Sequence, residues 1–74
     1  MSRLVHAKEL IDAVRSHGVR CVFATRPKGE DAWRAQGTWP EPDGGERRFT
    51  ARGESPVGAL RNLLNVVSAA VGRA

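Results

Sequence analysis

Val19-Arg20-Cys21-Val22-Phe23-Ala24-Thr25-Arg26-Pro27-Lys28-Gly29-Glu30-Asp31-Ala32-Trp33-Arg34-Ala35-Gln36-Gly37-Thr38-Trp39 is the stretch whose reading decides the fold. Successive side chains of a β-strand point to opposite faces. Read that way, a strand over 19–26 puts Val19, Cys21, Phe23 and Thr25 on one face and Arg20, Val22, Ala24 and Arg26 on the other. A second strand over 32–39 puts Trp33, Ala35, Gly37 and Trp39 together and Arg34, Gln36 and Thr38 opposite them. Arg26-Pro27-Lys28-Gly29 reads as the turn between them, proline pre-setting its second position and glycine suiting its fourth. The two tryptophans mark the apolar side. A slip of one residue would exchange the faces of a strand, so the tryptophans also set the register.

Working outward, Pro40-Glu41-Pro42-Asp43-Gly44-Gly45-Glu46 has no periodicity, two prolines and a glycine pair, and reads as a loop with a mobile tip. A third strand over 47–52 sends Phe49 and Ala51 to the apolar side and Arg48, Thr50 and Arg52 to the other. Gly53-Glu54-Ser55-Pro56 then opens a helix over 56–71, with Ser55 as its N-cap and Pro56 at the first position, where no amide is needed. Val57, Leu60, Leu64, Val67 and Val71 recur at helical steps and Leu63 and Ala70 widen the stripe, making this the main core helix. Gly58 in its first turn either costs up to about 1 kcal/mol against alanine or marks the close approach of another backbone.

On the other side of the opening stretch, Leu4, Ala7, Leu10, Ile11 and Val14 form one stripe of an amphipathic helix over 4–17. Ser2 is placed to cap it, Gly18 to stop it in the left-handed conformation, and His17 lies where the helix dipole favours positive charge. Two helices with one apolar stripe each, and three strands with one apolar face, give an α+β fold. The expected order is α-β-β-β-α, a three-stranded antiparallel sheet with both helices packed on one face, in a single domain spanning 1–74. Trp33, Trp39, Phe23 and Phe49 then lie beneath the helices. The opposite face is open and carries Arg20, Arg26, Arg34, Arg48 and Arg52 among Val22, Ala24, Gln36, Thr38 and Thr50.

Size and composition narrow the function. A chain of 74 residues has room for one modest core; a domain so small hides only about 60 % of its unfolded surface on folding. Cys21 is the single cysteine, which excludes an internal disulfide and a thiol zinc site. No segment approaches the roughly 20 apolar residues that cross a bilayer, and the first six residues lack the apolar run of a secretion signal. The expected setting is the cytoplasm, the host's cytoplasm for a phage-encoded chain. Net charge is +4 and pI about 10.6, an excess carried by arginine, since Lys8 and Lys28 are the only lysines. Arginine forks match phosphate oxygens in pairs, although GC-rich coding also raises arginine and alanine.

The residues assemble no catalytic, cofactor-binding or metal-binding set, and no cofactor is expected. His6 and His17 stand eleven residues apart on the first helix, too far to share a metal ion. Cys21 reads as core, Ser55 as a helix cap, and Gly44-Gly45 is followed by no Gly-Lys-Ser/Thr step.

The element order, with Arg52-Gly53-Glu54-Ser55-Pro56-Val57-Gly58-Ala59-Leu60 leading into the last helix, resembles the double-stranded RNA-binding domain over nearly the whole chain. Gly53, Ser55 and Ala59 fall at that family's steps, whereas Pro56 and Val57 stand where it carries the lysines that contact phosphate. The resemblance therefore implies the fold and not those contacts. The C-terminal two-thirds is also similar to HicB-like antitoxin domains, through the three strands and the Gly-x-Ser step before Ala59-Leu60; that likeness implies neutralisation of a small RNase by protein contact. In style the chain resembles short arginine-rich orphan proteins of actinobacteria and their phages. From the residues themselves the first expectation is a non-enzymatic protein-binding adaptor or inhibitor. It would act through Arg20, Arg26, Arg34, Arg48, Arg52 and Val22 on a protein partner or on a second copy as a homodimer. The second is a nucleic-acid-binding module using the same arginines. No membrane partner is expected.

Overall fold

Glycine ends the first helix where its position predicts. In the computed structural model, which describes residues 7–72, α1 covers Ala7–Arg15. His17 N–H then donates to Val14 O at 3.1 Å and Gly18 N–H to Arg15 O at 2.9 Å, while Gly18 turns the chain out at φ 97°. Leu10 and Val14 are fully buried and Ala7 and Ile11 pack around them, as an apolar stripe requires. Ser2, Leu4 and His6, assigned to the start of this helix, lie outside the described residues.

Three antiparallel strands follow in the order β1-β2-β3: β1 at Arg20–Thr25, β2 at Trp33–Pro40 and β3 at Glu46–Gly53. The last element, α2, runs over Pro56–Gly72. Ser55 caps it: its Oγ accepts from Gly58 N–H at 3.0 Å and its carbonyl from Ala59 N–H at 2.9 Å. α2 lies across all three strands, and α1 packs on α2 and β1. The result is a slab of 36 × 36 × 18 Å, one helical layer on one sheet. Its core is Leu10, Val14, Val19, Ala35, Phe49, Ala59, Leu60, Leu63 and Val67. Trp33 and Trp39 are half-buried against it, with Trp39 tilted onto Phe49 at a ring separation of 5.9 Å.

Both turns differ in detail from the reading of their sequences. The first forms one residue later than expected, with Glu30 N–H donating to Pro27 O at 3.0 Å and Gly29 in the third place at φ 86°, where a type II turn demands a positive φ. The loop read between the second and third strands is a hairpin turn. Gly44 N–H donates to Glu41 O at 3.0 Å, Glu41 N–H to Gly45 O at 2.8 Å, and Gly44 sits at φ 94°: a type I turn closed by a glycine bulge. Asp43 Oδ1 accepts from Gly45 N–H at 2.9 Å, and Glu41 pairs with Arg47 at 3.2 Å.

The main departure is in β1. Arg20 pairs with Thr38 and Phe23 with Gln36, so three residue steps on β1 oppose two on β2: a β-bulge. Its extra residue is Cys21, held at φ 56°, a left-handed conformation unusual for a residue with a Cβ. Beyond it every side chain changes face. Val22 and Ala24, expected on the open side, pack half-buried on the core. Cys21 and Thr25, expected inside, are exposed, and so is Phe23, at 46 % of its surface. Gly37 on β2 makes the bulge fit: a Cβ there would run into Val19 Cγ1 and lie 3.4 Å from Val22 Cγ2, so both valines occupy the space that glycine leaves.

Candidate functional site

The register of the three strands lays out the uncovered face row by row. Thr38 pairs with Arg48 on one side and Arg20 on the other; Gln36 pairs with Thr50 and Phe23; Arg34 pairs with Arg52 and Thr25. The face is thus a grid of three rows: Arg48–Thr38–Arg20, Thr50–Gln36–Phe23 and Arg52–Arg34–Thr25. Neighbours within a row stand about 5 Å apart and adjacent rows about 7 Å apart, the spacings of paired strands and of alternate residues. Two arginine-bearing rows flank a middle row that carries an aromatic ring, a carboxamide and a hydroxyl.

No carboxylate belongs to these nine positions. Glu30, at the end of the Pro27–Glu30 turn, reaches Arg34 at 3.6 Å, both side chains being about a third or more exposed (34 % and 40 %). Such an exposed pair contributes at most about 1 kcal/mol and is readily exchanged for another anion. Among the described residues, Arg20, Arg48 and Arg52 have no carboxylate within 4.0 Å. Thr38 Oγ1 donates to Arg20 O at 3.2 Å, tying the bulge to the central strand. A shallow depression of 430 Å³ on the face is lined by Arg34, Thr50, Ala51 and Arg52.

Of the six residues singled out in the sequence, Arg20, Arg34, Arg48 and Arg52 come together in this grid. Arg26 is exposed but lies beyond the end of β1, outside the paired rows. Val22 is turned into the core, and Phe23 takes its place on the open face. Sequence reading missed Phe23 because Cys21, Val22, Phe23 and Ala24 are all apolar, so alternation there does not distinguish the faces. The available signal was Val19 with Val22, two β-branched residues at odd spacing opposite Gly37.

Elsewhere on the described residues the surface offers little for chemistry. A groove of 460 Å³ along the β2–β3 turn is lined by Trp39, Pro40, Glu41, Pro42 and Arg47, and its two charged groups are already paired with each other. His17 is half-buried over α2 with Nε2 3.4 Å from Ser68 Oγ. Among the described residues no three His, Cys, Asp or Glu side chains cluster as metal ligands would. No helix among them is long and apolar enough to cross a membrane. Comparison with protein-family models, curated proteins and solved structures finds no match for this chain.

Proposed function

We propose that this chain is a non-enzymatic binding module that takes a nucleic acid on the open face of its sheet. One observation carries the reading: four arginines stand in two rows on the sheet face away from the helices, and none of its nine paired positions is acidic. Phosphate neutralisation by such residues supplies most non-specific affinity for nucleic acid. Gln36 and Thr50 add groups that donate to phosphate or sugar oxygens. Retardation of labelled nucleic acid in a gel at two ionic strengths tests it. Binding at low salt that weakens steeply as salt rises is expected; no retardation at low salt would sink the proposal.

The adaptor or inhibitor reading, including the homodimer and the antitoxin-like form, drew its apolar element from Val22 and Ala24. With both in the core, the face keeps one large apolar side chain, Phe23. That still fits a small protein contact, because aromatic and arginine side chains are enriched where proteins meet. A standard interface covers about 800 Å² per partner around an apolar centre, and a single ring among arginines and threonines supplies little of one. Under this second reading the purified chain forms a protein complex, or a dimer on a sizing column, that persists at high salt.

A further inference from the structure

Resting on the nucleic-acid reading, we infer that the ligand is single-stranded, with one base stacked on Phe23 and the phosphates on either side of it held by the two arginine rows. The bulge at Cys21 is what brings ring and arginines together. Without it, Phe23 would face the helices and the open face would present Val22 and Ala24. In its place stands a ring 46 % exposed on an otherwise polar face, at one end of the middle row. The row of Arg48 and Arg20 lies about 7 Å to one side of it, and the row of Arg52 and Arg34 about 7 Å to the other.

This arrangement discriminates between a duplex and a single strand. In a duplex the bases are stacked and paired inside and only phosphates reach a flat surface, so Phe23 would have no partner. A single strand offers bases and phosphates together, and aromatic rings beside a positive surface bind it with little regard to sequence because every base has a π-face. Gln36 lies next to Phe23 in the same row, within reach of the edge of a base stacked there. The depression between Arg34, Thr50 and Arg52 has room for a phosphate group.

The test is fluorescence anisotropy with a labelled 12-nucleotide mixed-sequence DNA, the same sequence as RNA, and both as duplexes. It uses wild type, Phe23→Leu, Phe23→Trp and the double variant Arg48→Ala/Arg52→Ala, each first shown by circular dichroism to be folded. Single strands should bind at least about 10-fold tighter than duplexes. Phe23→Leu should weaken single-strand binding by about 5- to 150-fold, the range for loss of one stacked base, with the salt slope unchanged. Phe23→Trp should keep wild-type affinity or exceed it. The double arginine variant should flatten the slope of log affinity against log salt by about 1.4, or 0.7 for each single-strand phosphate that the protein no longer neutralises. Equal binding of duplex and single strand, or a Phe23→Leu variant as tight as wild type, overturns the inference while leaving a nucleic-acid-binding face in place. Absence of binding by the wild type at low salt removes both.

Discussion

Replacing Gly53 by alanine isolates the contact on which the layering of this fold depends. Gly53 closes β3, and the first turn of α2 crosses directly over it. A Cβ added there would lie 2.6 Å from the carbonyl carbon of Gly58 and 2.8 Å from Ala59 Cα, and would run into Ala59 N. Carbon atoms in contact sit at about 3.5–4.0 Å, so the overlap is near 1 Å. All three atoms are backbone of the Gly58–Ala59 link, so no rotamer change relieves it. The start of α2 must lift off the sheet, drawing Ala59, Leu60 and Leu63, all fully buried, out of their packing. Overpacking costs about 1–3 kcal/mol, more where the surroundings are rigid, and we expect about 2–4 kcal/mol here. Stability for 74 residues is about 4–11 kcal/mol in all, and each kcal/mol shifts Tm by about 4–8 °C. The melting temperature should therefore fall by about 10–30 °C. Gly58→Ala is the matched control, because its Cβ would meet only the Ser55 hydroxyl, at 3.2 Å. It should stay within about 1 kcal/mol of wild type, helix propensity offsetting a small displacement of the cap. Urea unfolding followed by circular dichroism at both positions decides. A Gly53→Ala variant with the wild-type midpoint, or a Gly58→Ala variant that loses as much, would refute the account of this crossing.

Cys21→Gly should raise stability by about 0.5–1 kcal/mol, since the left-handed conformation costs an L-residue about 1–2 kcal/mol and glycine little, less the entropy glycine loses on folding; a lower Tm would show that the bulge is not strained. Gly37→Ala should lose about 1–3 kcal/mol in thermal unfolding, because the added methyl displaces the buried Val19 side chain. Ser55→Ala should cost about 1 kcal/mol by the same measurement, the usual loss of an N-cap; an unchanged midpoint would mean that the Ser55 hydroxyl bond contributes nothing.

The element order was legible because each segment carried its own period: the stripe from Leu10 to Val14, the tryptophans six residues apart on one face, Phe49 with Ala51, and the Ser55-Pro56 opening of α2. These local signals agree with one another and with the two-layer packing they produce. The facing of β1 was not legible, because a bulge is a relation between two strands and Cys21 is not the residue that usually marks one. The same holds for Gly53 and Gly37. A glycine announces freedom in the sequence, but what it makes room for is settled only when α2 or Val19 arrives beside it. The facing of the four arginines was accordingly legible, since they follow the regular alternation of β2 and β3 and the unbulged start of β1. That of Val22 and Phe23 was not, since both follow the insertion.

Asn62 closes one end of the sheet's outer margin. Its carboxamide donates to the Arg52 carbonyl at 2.6 Å, filling from within the chain a hydrogen-bonding position on the strand that has no neighbour beyond it. A foreign strand zipping along that margin from this end would have to displace a bond held by a helix already locked in place, and the arginines along it repel an identical copy. The sheet can thus keep a wide face clear of its helices while this flank remains a poor template for runaway assembly.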